Sequence, residues 1–419
     1  MKDTAKWRDS ICGNRPRARF LVLTLAVMLA AIISIPLSAY AQTYSVLHTF
    51  TDYPDDGAHP AGTLFLTSRR GKPGAVLHGT TSMGGSFQRG TVYRLNASAE
   101  YKVHSLAPDG QFDGYGPEAG LIGDGSGNFY GTTDGSLDGY AGTVFKMDKS
   151  GVFTYLHGFT GEDGEGPSEK LVRDDAGNLY GTTRNGGDLT CNAPYGCGVV
   201  FRVDAAGNYS LLHAFEGSDG NLPIGAMVLD GAGNLYGTTC LGGAHEQGTI
   251  FKLDSTGNLT VLHTFSVSSG IYPYAGLFRD AKGNLYGTAS NGGKFGYGNI
   301  FKLTLTGKYM QKYSFTGGAD GSTPSEIIRD ARGNFYGTTY YGGDLACSAG
   351  GSVGCGVVFK LEATGTLTVL HTFEATDGAY PRGGVARDSA GSLYGTTYYG
   401  GDLDCGFGNG CGVVYKIAP

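Results

Sequence analysis

Short runs of aromatic and β-branched residues alternate along this chain with clusters of Gly, Asp and Asn. Residues 275–315 contain four such runs, at 276–280, 284–289, 299–303 and 308–315. Runs of this length and composition, bounded by turn residues, are typical of β-strands. Apolar residues occur on both faces of the runs, as at Ile250 and Phe251 in the neighbouring copy. This pattern predicts sheets that are buried on both sides.

The four-strand pattern recurs around one phrase, whose clearest copy is Gly333-Asn-Phe-Tyr-Gly-Thr-Thr339. Its second Gly falls at positions 79, 131, 181, 237, 287, 337 and 395, so seven copies follow at intervals of 50 to 58 residues. A regular period of this length indicates a repeat architecture. Seven four-stranded antiparallel units around an axis form an all-β, seven-bladed propeller, which we predict for residues 42–419.

The order of the strands predicts how the ring closes. Residues 44–50 read as a fourth strand but precede any first strand, and residues 411–417 read as a third strand with no fourth after it. We therefore expect the N-terminal strand to complete the last blade, which would remove an exposed sheet edge.

Residues 1–41 have the pattern of a signal peptide. Six basic residues precede an apolar run at 20–37. The triplet Ala39-Tyr40-Ala41 follows this run, as expected for a signal-peptidase cleavage site before Gln42. The alternative is an uncleaved anchor, because the run borders on a membrane-spanning length. No other stretch is long and apolar enough to span. We expect a secreted, periplasmic or cell-envelope protein with no membrane span after cleavage.

Charge argues against a nucleic-acid partner. The formal net charge is −6, and without the six basic and two acidic residues of 1–41 the remainder carries −10. No basic run occurs outside residues 1–41, and phosphate backbones are bound by basic patches.

Cysteine spacing predicts three disulfides. The pairs Cys191–Cys197, Cys347–Cys355 and Cys405–Cys411 occupy the same position in three copies, and an oxidising compartment would keep such pairs joined. Metal binding is the alternative, but the Cys-x-x-Cys spacing and local His partners are missing. Cys240 is left over, and we expect a partly covered free thiol there.

Two kinds of connection are expected at opposite faces of the disc. Asp280-Ala-Lys-Gly283 and its equivalents have Asp first and Gly fourth, which favours a type I turn rather than a catalytic role for the Asp. The connections between second and third strands, and those between blades, are longer and differ from copy to copy. Function is usually carried by such a variable face.

The joint phrases are specific enough to indicate a family. Asn-Leu-Tyr-Gly-Thr-Thr, Gly-Gly, Gly-Thr-Val-Phe-Lys-Leu and Val-Leu-His-Thr-Phe together resemble the tandem repeat of the GloVer, or choice-of-anchor, proteins of bacteria, over essentially all of residues 44–417. The resemblance implies an exported bacterial repeat protein, sometimes held at the surface by a C-terminal sorting tail. No such tail is visible here, and no catalytic residues are implied.

Histidines and acidic residues are the first candidates for chemistry. Six histidines share one fourth-strand position: His48, His104, His157, His213, His263 and His371. Because catalysis normally needs such a residue once, we expect these to bond to backbone or to a neighbouring blade. Calcium is the one cofactor that Asp55-Asp56 and residues 162–165 would suit, although the alternating ligand pattern of a dedicated loop is missing. We therefore expect no metal site.

Tyrosines are the better candidates for ligand binding, because their rings carry a polar group and suit stacking on sugars or contact with a protein. The candidates lie in connections of the variable face: Tyr115, Tyr272, Tyr274, Tyr340, Tyr341, Tyr380, Tyr398 and Tyr399. The alternative is that they pack against disulfide loops and neighbouring blades. Trp7, the one tryptophan, lies in residues 1–41, which weakens a sugar-binding hypothesis.

The sequence contains no phosphate-binding loop, zinc-protease helix or nucleophile elbow. We therefore expect a monomeric, non-catalytic exported propeller that binds a glycan or a protein at the cell envelope. One alternative is a polysaccharide-active enzyme that uses non-repeated acids, namely Glu118, Glu169, Glu246 or Glu326. A purely structural role in the envelope is the other alternative.

Overall fold

The computed structural model describes residues 42–68, 74–96, 100–106, 114–136, 141–167, 169–347 and 353–419. The predicted signal at 1–41 lies outside them. The described chain is all-β, and it forms seven four-stranded antiparallel sheets arranged as a seven-bladed propeller. No helix in these ranges has the length and hydrophobicity of a membrane span.

Each blade runs from a first strand near the axis to a fourth at the outer edge. The first three blades consist of these strands: in blade 1, Phe65–Ser68, Ala75–Thr81, Thr91–Asn96 and Tyr101–Ser105; in blade 2, Ile122–Gly123, Phe129–Thr133, Thr143–Met147 and Phe153–Gly158; in blade 3, Val172–Arg173, Leu179–Thr183, Val199–Val203 and Tyr209–Ala214. The next two are formed, in blade 4, by Val228–Leu229, Leu235–Thr239, Thr249–Leu253 and Leu259–Thr264; in blade 5, by Phe278–Arg279, Leu285–Ala289, Asn299–Leu303 and Tyr309–Ser314. The last two are formed, in blade 6, by Ser322–Arg329, Phe335–Tyr341, Val357–Leu361 and Leu367–Thr372; in blade 7, by Ala386–Arg387, Leu393–Thr397, Val413–Ala418 and Thr43–Thr49.

The predicted closure is confirmed in blade 7. Thr43–Thr49 pairs antiparallel with Val413–Ala418, from Thr43 opposite Ala418 to Thr49 opposite Val413. The Phe50 N–H continues the pairing by donating to the Gly412 carbonyl at 3.0 Å. The outer strand of the last blade is therefore supplied by the beginning of the described chain.

The second Gly of the repeated phrase makes room for an aromatic ring of the third strand. A Cβ at any of the seven equivalent glycines would lie 2.3–3.0 Å from the nearest atom of that aromatic side chain, as at Gly287 against Phe301. At the end of the fourth strand, a buried Phe packs edge-to-face on the third-strand ring of the next blade, with centroids 5.0–5.3 Å apart. These pairs are Phe50–Tyr93, Phe159–Phe201, Phe215–Phe251, Phe265–Phe301, Phe315–Phe359 and Phe373–Tyr415. The core is thus a ring of aromatic contacts between blades.

The first strand of blade 5 is shorter than the sequence predicts. It comprises only Phe278–Arg279 in place of the predicted 276–280, whereas the first strand of blade 6 has eight residues, Ser322–Arg329. A Cβ at Gly276 would lie 2.9 Å from the Cβ of Ala226 in blade 4. In the other blades the residues just before the first strand line the space at the axis, whereas in blade 6 the lining residues belong to the strand itself.

Candidate functional site

The two faces of the disc differ as predicted. On one face, tight turns join first to second strands, as where the Gly283 N–H donates to the Asp280 carbonyl at 2.9 Å. On the other, which we call the variable face, the loops between second and third strands meet the links between blades. Bridges such as Ile271 with Asn291 and Ala379 with Tyr399 join a link to a loop.

The regularly spaced carboxylates stabilise the tight turns. In blade 5, Asp280 Oδ1 accepts hydrogen bonds from the backbone N–H groups of Lys282 and Asn284, and its Oδ2 accepts one from the Tyr286 hydroxyl at 3.1 Å. Equivalent bonds hold Asp124, Asp174, Asp230, Asp330 and Asp388. These groups are engaged within the fold, in keeping with the turn interpretation.

The repeated histidines are also structural, but their partner was not anticipated. Nε2 of four of them lies 2.8–3.0 Å from the carboxylate that precedes Gly in the following link: His48–Asp56, His157–Asp163, His213–Asp219 and His371–Asp377. Of the two expected partners, backbone or a neighbouring blade, these four hydrogen bonds do not go to backbone. The expected contact with a neighbouring blade is confirmed, for example where His157 stacks on Tyr209 with centroids 4.0 Å apart.

These hydrogen bonds shift the titration of the carboxylates. Burial opposes the ionised form of Asp56, but hydrogen bonds from His48 and Tyr101 outweigh burial and hold its pKa below the usual value. The pKa of Asp163 is lowered in the same way, by His157 and Thr160.

The link between blades 4 and 5 lacks this carboxylate, and its absence leads to a testable prediction. Ser269 stands where the other links have Asp, the Nε2 of His263 has no hydrogen-bond partner among the described residues, and burial lowers the pKa of His263 to about 4. We expect Ser269→Asp to raise the free energy of unfolding by about 1–2 kcal/mol and Tm by about 1–3 °C. Thermal melting at pH 7.5 measures this, and Asp219→Ser, which removes the partner of His213, should lower Tm.

The pH dependence of the stability follows from the lowered pKa of His263. Because the folded pKa of His263 lies below its unfolded value, the stability that depends on neutral His263 is complete above about pH 6.5 and is lost as pH falls towards 4. Pairing with the introduced carboxylate would remove this loss, so the gain in Tm should be larger at pH 5 than at pH 7.5. An unchanged Tm in Ser269→Asp at both pH values would contradict the prediction.

Three disulfides close loops of the variable face, as predicted. Cys191–Cys197, Cys347–Cys355 and Cys405–Cys411 are bonded, with Cα atoms 5.5–5.6 Å apart. Cys240 is fully buried, and because no cysteine in the described chain is free, the expectation of a free thiol there is wrong. The loops around these disulfides also present exposed apolar side chains, namely Leu189, Tyr195, Leu345, Val353, Leu403 and Phe407.

The structure brings five of the eight candidate tyrosines together on blades 6 and 7. Tyr340 stacks on Tyr380 with centroids 5.1 Å apart and meets Tyr341 edge-on, while Tyr398 meets Tyr399 edge-on. We call these five residues the tyrosine wall. Tyr380 and Tyr398 are only 2% and 1% exposed, so their rings serve packing, whereas the other three are partly exposed.

The other three candidates lie apart from the tyrosine wall. Tyr272 and Tyr274 pack against a small apolar cluster of Leu222, Ile224 and Cys240. Tyr115 is exposed on blade 2, where it pairs with Gly135 in a two-stranded ribbon. The eight tyrosines therefore do not form a single surface.

A cavity of about 120 Å³ lies at the axis, where all seven blades contribute to its wall. Most of the lining comes from residues that lead into the first strands, and Tyr340 joins the cavity to the tyrosine wall. One lining residue from each blade, in chain order, is Thr63, Glu118, Glu169, Ala226, Tyr274, Glu326 and Arg382. We call this space the axial cavity.

Five charged residues contribute to the lining of the axial cavity, namely Glu118, Glu169, Lys170, Glu326 and Arg382. Glu326 Oε2 accepts a hydrogen bond from Thr63 Oγ1 at 2.7 Å. Three of the four candidate acids thus converge, although they come from different blades. The fourth, Glu246, is exposed in a loop of blade 4 and does not line the cavity.

Arg382 is the most enclosed cation of the cavity. Its side chain is 5% exposed, its Nη1 lies 3.9 Å from Glu118 Oε1, and its guanidinium carbon lies 3.9 Å from the ring centre of Tyr398. Burial opposes its charge, but the surroundings of Tyr398, Tyr340 and Glu118 outweigh burial and raise its pKa. The cavity therefore holds a permanent positive charge beside the tyrosine wall.

Sequence reasoning missed Arg382, Lys170 and Thr63, and one signal could have found them. The residues between the Pro of each link and the next first strand differ in every copy, whereas the surrounding positions repeat. In blade 6 this segment is one residue shorter, so Glu326 occupies the place of Gly276 in blade 5. The residues that differ among the repeats in this segment are therefore the ones that line the axial cavity.

The acidic loop residues considered for calcium are partly engaged. Asp56 and Asp163 accept the hydrogen bonds from His48 and His157, and burial raises the pKa of Glu165. One group of potential metal ligands is brought together in the described ranges, Asp52 with Cys405 and Cys411. Its two sulfurs are bonded to each other, so they are not thiolates.

Comparison with known proteins indicates the family and the fold. A family profile described as the Gloeobacter/Verrucomicrobia repeat matches residues 31–193 and 189–348. No curated protein matches the chain.

Similar solved structures share the propeller. The virginiamycin B lyase of Staphylococcus aureus has 12% sequence identity and a TM-score of 0.58, over 90% of this chain and 100% of that one. A streptogramin B lyase has 17% identity and a TM-score of 0.55, over 90% and 98%. The extracellular domain of a protein described as a hybrid two-component system of B. thetaiotaomicron has 13% identity and a TM-score of 0.51, over 90% and 41%. At these identities the likeness shows the fold alone.

Proposed function

We propose a function from the premise that this chain belongs to the Gloeobacter/Verrucomicrobia repeat family, whose profile matches most of it. The protein is an exported, non-catalytic propeller that binds a glycan on its variable face, at the axial cavity and the neighbouring tyrosine wall. The disulfides and the extracellular domain among the similar structures fit an extracellular location.

The observation that carries this proposal is the pairing of a polar cavity with partly exposed aromatic rings. Carboxylates and hydroxyls at Glu169, Glu326 and Thr63 can exchange hydrogen bonds with sugar hydroxyls. The partly exposed rings of Tyr340, Tyr341 and Tyr399 can pack against the apolar face of a pyranose. Pockets with a few convergent polar groups beside aromatic side chains are the usual form of small-ligand sites.

A polysaccharide-active enzyme is the second candidate, because Glu118, Glu169 and Glu326 converge in one cavity. Glycoside cleavage usually needs a pair of carboxyl groups, one as acid and one as base or nucleophile. Propellers host both enzymes and binding domains, and the similar structures include lyases as well as the extracellular domain of a two-component system, so the fold alone supports neither reading.

A glycan array followed by incubation of each hit with the protein separates the two candidates. We expect retention of a glycan without release of product. Turnover that is lost in Glu326→Gln but kept in Glu246→Gln, which changes an exposed acid outside the cavity, would contradict the non-catalytic proposal. If no glycan is retained, glycan binding is wrong, and the exposed apolar loops then favour a protein ligand.

The contribution of the tyrosine wall to glycan affinity can be tested separately. We expect the double variant Tyr341→Ala/Tyr399→Ala to weaken binding of the retained glycan about tenfold, which corresponds to about 1.4 kcal/mol, because both rings would be lost from the surface. The matched control is Tyr195→Ala, which removes an exposed ring from a disulfide loop of the same face. Unchanged affinity in the double variant would show that the wall only packs.

A further inference from the structure

We infer that the axial cavity recognises a carboxylate through Arg382, so that its glycan is acidic and the bound residue is a uronic acid. This inference rests on the proposed glycan binding, and it names the class of sugar that the same cavity takes.

The first observation is an unsatisfied donor at the cavity wall. Arg382 lines the cavity with a side chain that is only 5% exposed, and its Nη1 makes no hydrogen bond with any described residue. A buried charged donor left without an acceptor is unfavourable, and a ligand oxygen that supplies the acceptor recovers that free energy. The cavity therefore favours a ligand with a strong acceptor at this position.

The second observation is the way in which the guanidinium is held. Stacking on Tyr398 and the ion pair with Glu118 fix its plane before any ligand arrives. A planar guanidinium with a fixed orientation matches the two oxygens of a carboxylate better than it matches a single hydroxyl. Lys170, which follows Glu169 in blade 3, adds a second cation to the lining.

The acids of the cavity decide which carboxylate fits. Glu169 and Glu326 would repel a simple anion, but they accept hydrogen bonds from hydroxyl donors. A uronic acid offers both groups at once, a carboxylate for Arg382 and several hydroxyls for the two glutamates. A neutral sugar would offer Arg382 only uncharged hydroxyl and ring oxygens, which are weaker acceptors than a carboxylate. A plain carboxylate such as acetate would offer the glutamates no hydroxyl donors.

Isothermal titration calorimetry of the purified protein, with D-glucuronate, D-glucose and acetate titrated separately, tests the inference. We expect glucuronate to bind at least about tenfold more tightly than glucose, which cannot form the charge-assisted pair with Arg382, and than acetate, which cannot donate hydroxyl hydrogen bonds to the glutamates. Arg382→Gln should abolish the preference for glucuronate over glucose. Arg387→Gln should preserve it, because Arg387 belongs to the first strand of the same blade but lies outside the cavity, over the ring of Tyr336.

A second variant guards against misfolding, because Arg382→Gln removes the cation that faces the buried Glu118. The double variant Arg382→Gln/Glu118→Gln removes both charges and should also lose the preference, with a wild-type melting curve as the check on folding. Equal affinity for glucuronate and glucose, or a preference that survives in the double variant, overturns the inference.

Its failure can be distinguished from that of the proposed function. If the array retains only neutral glycans, the protein binds glycans but the assignment of a uronic acid is wrong. If neither the array nor the titrations show binding of any sugar, both are wrong.

Discussion

Deletion of residues 42–50 is expected to lower the melting temperature by about 6 °C or more, since about 5 kcal/mol or more of stability is lost and each kcal/mol shifts Tm by about 1.3 °C in a domain of this size. The deletion removes the outer strand of blade 7 and uncovers its edge at Val413–Ala418. It also removes Phe50, which packs on Tyr93 of blade 1, and Tyr44, which stacks on His371 of blade 6. One short segment therefore joins three blades.

Point variants separate the packing of this segment from its backbone pairing. Phe50→Ala should by itself cost about 3–5 kcal/mol, as for other buried Phe side chains. Val46→Ala, in the same strand but 39% exposed, should change the stability by less than about 1 kcal/mol. Thermal or denaturant unfolding measures both, and near-normal melting of the deletion would show that the ring is stable without its closing strand.

Replacement of Gly287 by Ala is expected to destabilise the protein by about 3 kcal/mol, which is at the upper end for overpacking of a core. The added Cβ would lie 2.6 Å from Cζ of Phe301 and 3.0 Å from Cδ2 of Leu277. Neither neighbour can move freely, because Phe301 is fully buried and packs on Phe265 of blade 4. The clash would therefore spread into the contact between blades.

Gly231→Ala is the matched control, because a Cβ at Gly231 would have no atom within 4 Å and the residue does not need a left-handed backbone. We expect its stability to stay within about 0.5 kcal/mol of the wild type. Denaturant unfolding of both variants measures the difference. A Gly287→Ala variant as stable as Gly231→Ala would show that the glycine of the repeated phrase is not required by the aromatic ring.

Local patterns in the sequence were sufficient to predict much of the fold. The period of about fifty residues, the turn residues and the two-sided apolar runs predicted seven four-stranded blades, and the position of residues 44–50 predicted their closure. The cysteine spacing predicted three disulfides. Each of these features depends on residues close together in sequence, or on a phrase that repeats, so the chain itself contains the signal.

Less of the candidate site could be predicted from the sequence. The sequence placed Tyr340 and Tyr398 on one face but could not show that Tyr398 is buried under Arg382 while Tyr340 lines the cavity. Similarly, Glu118, Glu169 and Glu246 read as equivalent non-repeated acids. Two of them lie at the axis and Glu246 does not.

The blade, the number of blades and the closing strand therefore follow from patterns within the sequence. Which residues meet at the axis depends on how the blades pack together. The residues that line the axial cavity come from seven segments, each about fifty positions from the next, and no local pattern relates their side chains. They become neighbours because closure of the ring directs all seven inner strands towards one axis, so their distances are set by the packing of whole blades.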